Sequence, residues 1–210
     1  MKKQTQDLDL LKSMIYIADA YRAIKLLDLK RIDKAIEKDK ISEKIKREWS
    51  KARKIMDRMT IFVTSLPGVS KWIRRRMFLD LAAMTILTGI IIFLTADLII
   101  GTKFSETYEQ FPPLLLICAM TIWLAARIAG AKAGSIIEKY FENNPKKFEA
   151  ERNYLAKFVQ MMIDEYSREI RIMKIDPNKK PLMLYNIDYK RVKVKKKPGF
   201  MRKSYLITVM

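Results

Sequence analysis

Arg127 stands in the run "CAMTIWLAARIAGAKAG", residues 118–134, where most neighbours are apolar or small. A guanidinium at the centre of a membrane-crossing helix costs about 3 kcal/mol, so this position calls for a compensating contact. Two chemistries fit. The long stem can carry the charged head toward nearby phosphate headgroups. Alternatively, Arg127 pairs with Asp80, which lies at similar depth in "MFLDLAAMTILTGIIIFLTADLIIG", residues 77–101, if the two runs are antiparallel. That intramembrane polar pair would offset much of both costs. Asp97, near the other end of the same run, is expected to reach water. Around the arginine, Ala126, Gly130 and Gly134 step by four, and Ala125, Ala129 and Ala133 do the same one residue away. Small side chains at that spacing let helices approach closely. Their expected partner is Ala82, Ala83 and Gly89, or the same helix in another copy.

Other residue types exclude more chemistry than they support. Histidine is absent, which removes the usual acid-base group near neutral pH and the commonest nitrogen ligand for transition metals. Cys118 is the single cysteine, so it forms no intrachain disulfide and is expected to pack as a small apolar residue. There is no Walker loop, no GxSxG, no HExxH and no cysteine pair at zinc spacing. No catalytic residue, metal or cofactor is therefore expected, and the chain reads as a non-enzyme. Its Lys-rich and Ile-rich composition is compatible with a thermophile.

Both apolar runs, with their flanks, reach the roughly 20 residues needed to cross a bilayer as a helix. The reading is two spans, about 77–100 and 112–134; a buried hairpin in a soluble protein explains two successive runs less well. Residues 1–76 hold 21 Lys and Arg against 10 Asp and Glu, and residues 132–210 hold 19 against 9. The connecting loop "GTKFSETYEQ" has one lysine and two glutamates. Because basic residues flanking a span stay inside, both termini are expected in the cytoplasm. Arg74, Arg75 and Arg76 beside Trp72 mark the inner boundary.

The expected fold is a mainly α membrane protein: a transmembrane hairpin (71–143), a cytoplasmic helical bundle and a small C-terminal antiparallel β element. Residues 1–70 read as two helices with a break near Lys30, interrupted again at "EKDKIS", where Asp39 or Ser42 is available as a cap. The short stretch from Met59 to Val69 lies in the interface or docks on the bundle; Pro67 and Gly68 reverse the chain, and Ser70 caps the next helix. Asn144 and Pro145 read as N-cap and first position of an amphipathic helix spanning 144–175. Its stripe runs from Phe148 through Leu155, Phe158, Met162 and Tyr166 to Met173. The stripe packs on the N-terminal helices as a three-helix bundle or forms an intermolecular coiled coil. Residues 176–210 read as strands, with Pro198 and Gly199 in a turn and Tyr205, Ile207 and Val209 on one side.

The most charged segment is "YKRVKVKKKPGFMRKSY", carrying Lys190, Arg191, Lys193, Lys195, Lys196, Lys197, Arg202 and Lys203. With Arg74 to Arg76 it forms the expected basic surface. Anionic lipid headgroups are its first expected partner and RNA or the ribosome its second; solubility and topology alone also account for the charge. The leading functional expectation is an oligomeric, membrane-anchored scaffold or interaction module, working with copies of itself or a partner membrane protein. The alternative is a subunit of a channel or of a translocation or insertion complex.

Overall fold

A computed structural model of the protein describes residues 2–25, 29–38, 42–100, 111–199 and 203–210. Among them are six α-helices: α1 (Lys2–Arg22), α2 (Lys30–Lys38), α3 (Glu43–Ser65), α4 (Val69–Ile100), α5 (Phe111–Asn143) and α6 (Glu149–Ile172). One 3-10 turn (Pro177–Lys179) leads into β1 (Leu182–Leu184), β2 (Val192–Lys196) and β3 (Tyr205–Val209). The chain divides into two compact units, Met1–Thr60 with Lys146–Met210, and Ile61–Pro145.

The first unit joins both ends of the sequence. α1 is its central helix: Met14, Ile15, Ile17, Ala18, Ala20 and Tyr21 are all buried, so it packs on nearly every side. The stripe of α6 from Leu155 to Ile170 is buried against the same core, as its spacing predicts. Trp49 of α3 stacks at 6.1 Å from Phe158, and its indole N–H donates to Asp33 of α2 at 3.2 Å. Tyr154 Oη donates to Glu48 at 3.0 Å, tying α6 to α3; burial, with help from that carboxylate, pushes the phenol up to about 12. The core is thus built from α1, α2, the first part of α3, α6 and the sheet, a larger assembly than three helices.

The sheet is antiparallel in the order β1-β3-β2, with Leu182 opposite Ile207 and Val192 opposite Val209. Ile207 and Val209 are buried and Tyr205 is half-buried, so the expected face is the one that packs. The register shifts between Val194 and Lys196, leaving Lys195 as the extra residue of a bulge.

Several local expectations change. The first helix breaks after Arg22, well before Lys30, and Ile24 turns the chain at φ 57°. Ser42 caps α3 by accepting from the Ile45 N–H, while Asp39 lies outside the described residues. α4 begins at Val69, which places Ser70 inside its first turn. Asn144 does not start α6; its amide donates to the Tyr140 carbonyl at 2.9 Å and closes the end of α5 instead. α6 starts four residues beyond Pro145, after Phe148 at φ 60°.

The second unit is a helical hairpin. α3 continues to Ser65, Pro67 and Gly68 turn the chain with Gly68 at φ 82°, and α4 and α5 then run antiparallel. Met59 to Val69 is therefore mostly the last turns of α3, with Val63, Leu66 and Val69 buried and Ile61 exposed. Both long helices are apolar enough and long enough to cross a membrane.

Candidate interaction surfaces

α4 and α5 pack against each other along a seam of mostly small buried residues. On α5 the buried positions are Ala119, Ala126, Ala129, Ala133 and Phe141, and on α4 they are Val69, Ala83 and Ile90. Multiples of seven on α4, and steps of seven, three and four from Ala119 to Ala133 on α5, are the spacing of a coiled-coil seam. Alanine at those positions lets the axes close. Gly130 lies beneath Arg76, where a Cβ would stand 3.2 Å from the arginine Cδ. Ala125 and Gly134 are half-buried beside the seam. Gly134 and Gly89 have open space where a side chain would go, so neither is needed for the closeness of this hairpin.

Outside the seam the hairpin is bare. Met77, Phe78, Leu81, Ile91, Ile117 and Met120 are all more than 60% exposed. Only 11% and 17% of the most apolar windows of α4 and α5 are buried, unlike the core helix of a soluble protein. Cys118 is exposed on this outer surface and is not a packing residue.

The Asp80–Arg127 pair is not formed. Asp80 meets Arg76 one turn earlier on its own helix, at 3.4 Å. Arg127 places its guanidinium over the ring of Trp123, 4.6 Å from the centroid, also one turn back. Each charge thus finds a partner at i,i−4, a local contact that competes with one across the seam. Asp97 lies outside the residues whose side chains are described.

On the flank marked by Trp72 the hairpin gathers cations. Arg75 of α4 and Lys132 of α5 both lie over the Trp72 ring, at 5.0 and 4.8 Å. With Arg74 they rim an open groove of about 640 Å³ whose walls are Phe78, Leu79, Ala125, Ile128 and Ala129. No acid lines it.

The other basic surface lies in the first unit. Lys193, Lys195, Lys196 and Lys197 are exposed, with Lys195 reaching the Asn178 carbonyl at 3.2 Å. Lys190 and Arg191 form the turn before β2, held by Gln160, which accepts from the Lys190 N–H at 2.7 Å; Arg191 adopts φ 57°. Lys203 is exposed, and Arg202 lies outside the described residues. A polar cavity of about 630 Å³ nearby is lined by Lys44, Lys157, Arg168, Arg171 and Arg191 against Asp164 and Glu165.

Sequence reasoning missed Asp19. This carboxylate is fully buried and accepts from the backbone N–H groups of Tyr185 and Asn186, the Asn186 amide and the Tyr189 hydroxyl. Burial pushes its pKa up, and the four donors pull it back. Beside it, Arg22 makes a two-pronged ion pair with Asp188 and lies over the Tyr189 ring at 5.2 Å, holding the Asp188 carboxyl below the usual range. The cluster fastens the segment between β1 and β2 to α1, and both Asp19 oxygens are committed to it. The available signal was an aspartate inside the apolar pattern of "IYIADAY".

Among the described residues no group of His, Cys, Asp and Glu could hold a metal ion. Comparison with protein-family models, with curated proteins and with solved structures finds no match.

Proposed function

We propose that this chain is a non-enzymatic, membrane-anchored interaction protein: α4 and α5 cross the bilayer, and the basic unit formed by both chain ends is held at the cytoplasmic surface. The observation that carries this reading is the hairpin's bare apolar exterior around a satisfied alanine seam. Water would penalise that exterior by about 25 cal/mol per Å², whereas lipid does not. Trp72 beside Arg74, Arg75 and Arg76 supplies an interfacial boundary, and the surplus of Lys and Arg on both flanks favours cytoplasmic termini. Partners are anionic lipid together with a second copy or another membrane protein; RNA uses the same cations and is the weaker candidate.

Fractionation tests the anchor, since the protein should resist extraction by alkaline carbonate and require detergent. Protease added from the cytoplasmic side should remove the basic tail. Cleavage of that tail only from the opposite side overturns the topology. Copurification from mild detergent identifies the partner.

The second reading, a channel or translocation subunit, draws support from Arg127, whose side chain is exposed on the hairpin with an aromatic ring for company. Ion flux in liposomes that vanishes in Arg127→Leu, with assembly intact, would favour it over the scaffold.

A further inference from the structure

We propose that the groove between α4 and α5 binds one anionic phospholipid, with its phosphate at Arg75 and Lys132 and an acyl chain along Phe78, Ala125 and Ala129. This site rests on the membrane reading of the hairpin and adds a specific ligand to it.

Charge and shape support the assignment together. Arg75 and Lys132 come from different helices and converge on the same indole, yet neither has a carboxylate partner among the described residues. Two cations without carboxylate partners at one indole make the rim electropositive, so an anion there is attracted and completes hydrogen-bonding shells that the protein leaves open. Arg74 adds a third positive charge at the rim. From Lys132 to Ala125 the groove runs seven residues, about 10 Å along the helix, and its character changes from cationic to wholly apolar. A free phosphate would leave that apolar half unused. Nucleic acid would meet hydrocarbon walls where it needs donors.

Alanine creates the space. Ala125 and Ala129 belong to the small-residue run "AARIAGAKAG" of α5, and larger side chains there would fill the groove. Its volume of about 640 Å³ falls within the roughly 300 to 1,000 Å³ of small-molecule sites. The depth order is also correct for a lipid: the cations flank Trp72 at the proposed inner boundary, and the apolar end points toward the middle of both helices.

The test is native mass spectrometry of the full chain in a neutral detergent, with phosphatidylglycerol titrated against phosphatidylcholine. One phosphatidylglycerol should be retained in preference. Lys132→Glu with Arg75→Glu should weaken retention about tenfold or more, a change of about 1.4 kcal/mol. Ala125→Phe should do the same by filling the groove, with helicity and elution volume checked against the wild type. Replacing Lys195, Lys196 and Lys197 with alanine should leave retention unchanged. Equal retention of both lipids, unaltered binding by the double glutamate variant, or displacement by an equal concentration of inorganic phosphate would overturn the site. If detergent is required but phosphatidylglycerol is not preferred, the site alone fails. If the chain is monodisperse in plain buffer, the anchor reading fails and the site goes with it.

Discussion

Four donors converge on Asp19, and truncating it leaves two half-buried backbone N–H groups and the buried Tyr189 hydroxyl without their acceptor. Each stranded donor costs about 1 to 3 kcal/mol when water cannot reach it. Asp19→Ala is therefore expected to lower stability by about 1 to 3 kcal/mol, read as a shift in the urea midpoint by pulse proteolysis. Asp19→Asn should cost less, because one carbonyl acceptor survives. The two carboxyls of this cluster also respond to pH in opposite ways. Asp188 has a lowered folded pKa, so its contribution is present above its unfolded value near 3.8 and is lost as pH falls through the folded one. Asp19 has a raised folded pKa, so its contribution is full below 3.8 and declines as pH rises through the folded value. Midpoints measured from about pH 3 to pH 7 should show Asp188→Asn flattening the acid limb and Asp19→Asn flattening the limb above it. The sequence signals only an aspartate within an apolar pattern; the partners of Asp19 lie 166 to 170 residues away and carry no local signature. Asp80 and Arg127 do not pair for a related reason: spacing gives their depth, but it does not rank a contact across helices against Arg76 and Trp123 one turn away on the same helix.

Helices α1 and α4 show what apolar pattern alone can and cannot say. Each is apolar on more than one face, yet α1 is enclosed by other elements while α4 leaves Phe78, Leu81 and Met84 uncovered. Length and the long weakly charged run beyond Arg76 distinguish α4 from α1 in the sequence, and periodic spacing marks the α6 stripe. The ends of elements were not, because turn geometry at Ile24 and Phe148 places non-glycine residues at positive φ without a sequence cue. Strain there gives a further prediction. Ile24 is β-branched and sits at φ 57°, so Ile24→Asn should raise stability by about 1 kcal/mol, read from the urea midpoint. At the hairpin seam the two small residues at 133 and 134 should behave differently. Ala133→Leu inserts bulk at a buried position and should destabilise by about 1 to 3 kcal/mol, whereas Gly134→Leu enters open space and should not. Thermal unfolding in detergent, followed by helicity, separates them. If Gly134→Leu instead abolishes oligomers while leaving the hairpin folded, that position belongs to a contact between copies.

Across the whole molecule the net formal charge is +19, and 40 of the 42 basic residues fall outside 77–131. Attraction to anionic vesicles through those residues should weaken as salt rises, and alanine at Lys195, Lys196 and Lys197 should reduce it by about 1 kcal/mol per residue near the surface. Sedimentation with vesicles of graded phosphatidylglycerol content measures both effects. The division into units has a consequence in time. Residues 61–145 interrupt the first unit, so α1 emerges from the ribosome more than a hundred residues before α6 and the strands that cover it. During synthesis the hairpin is complete while Met14 and Ile15 of α1 still lack the cover that α6 and the sheet supply. A nascent chain stalled near residue 145 should consequently bind a hydrophobic-surface chaperone through its first helix, and release it once residue 210 has been added.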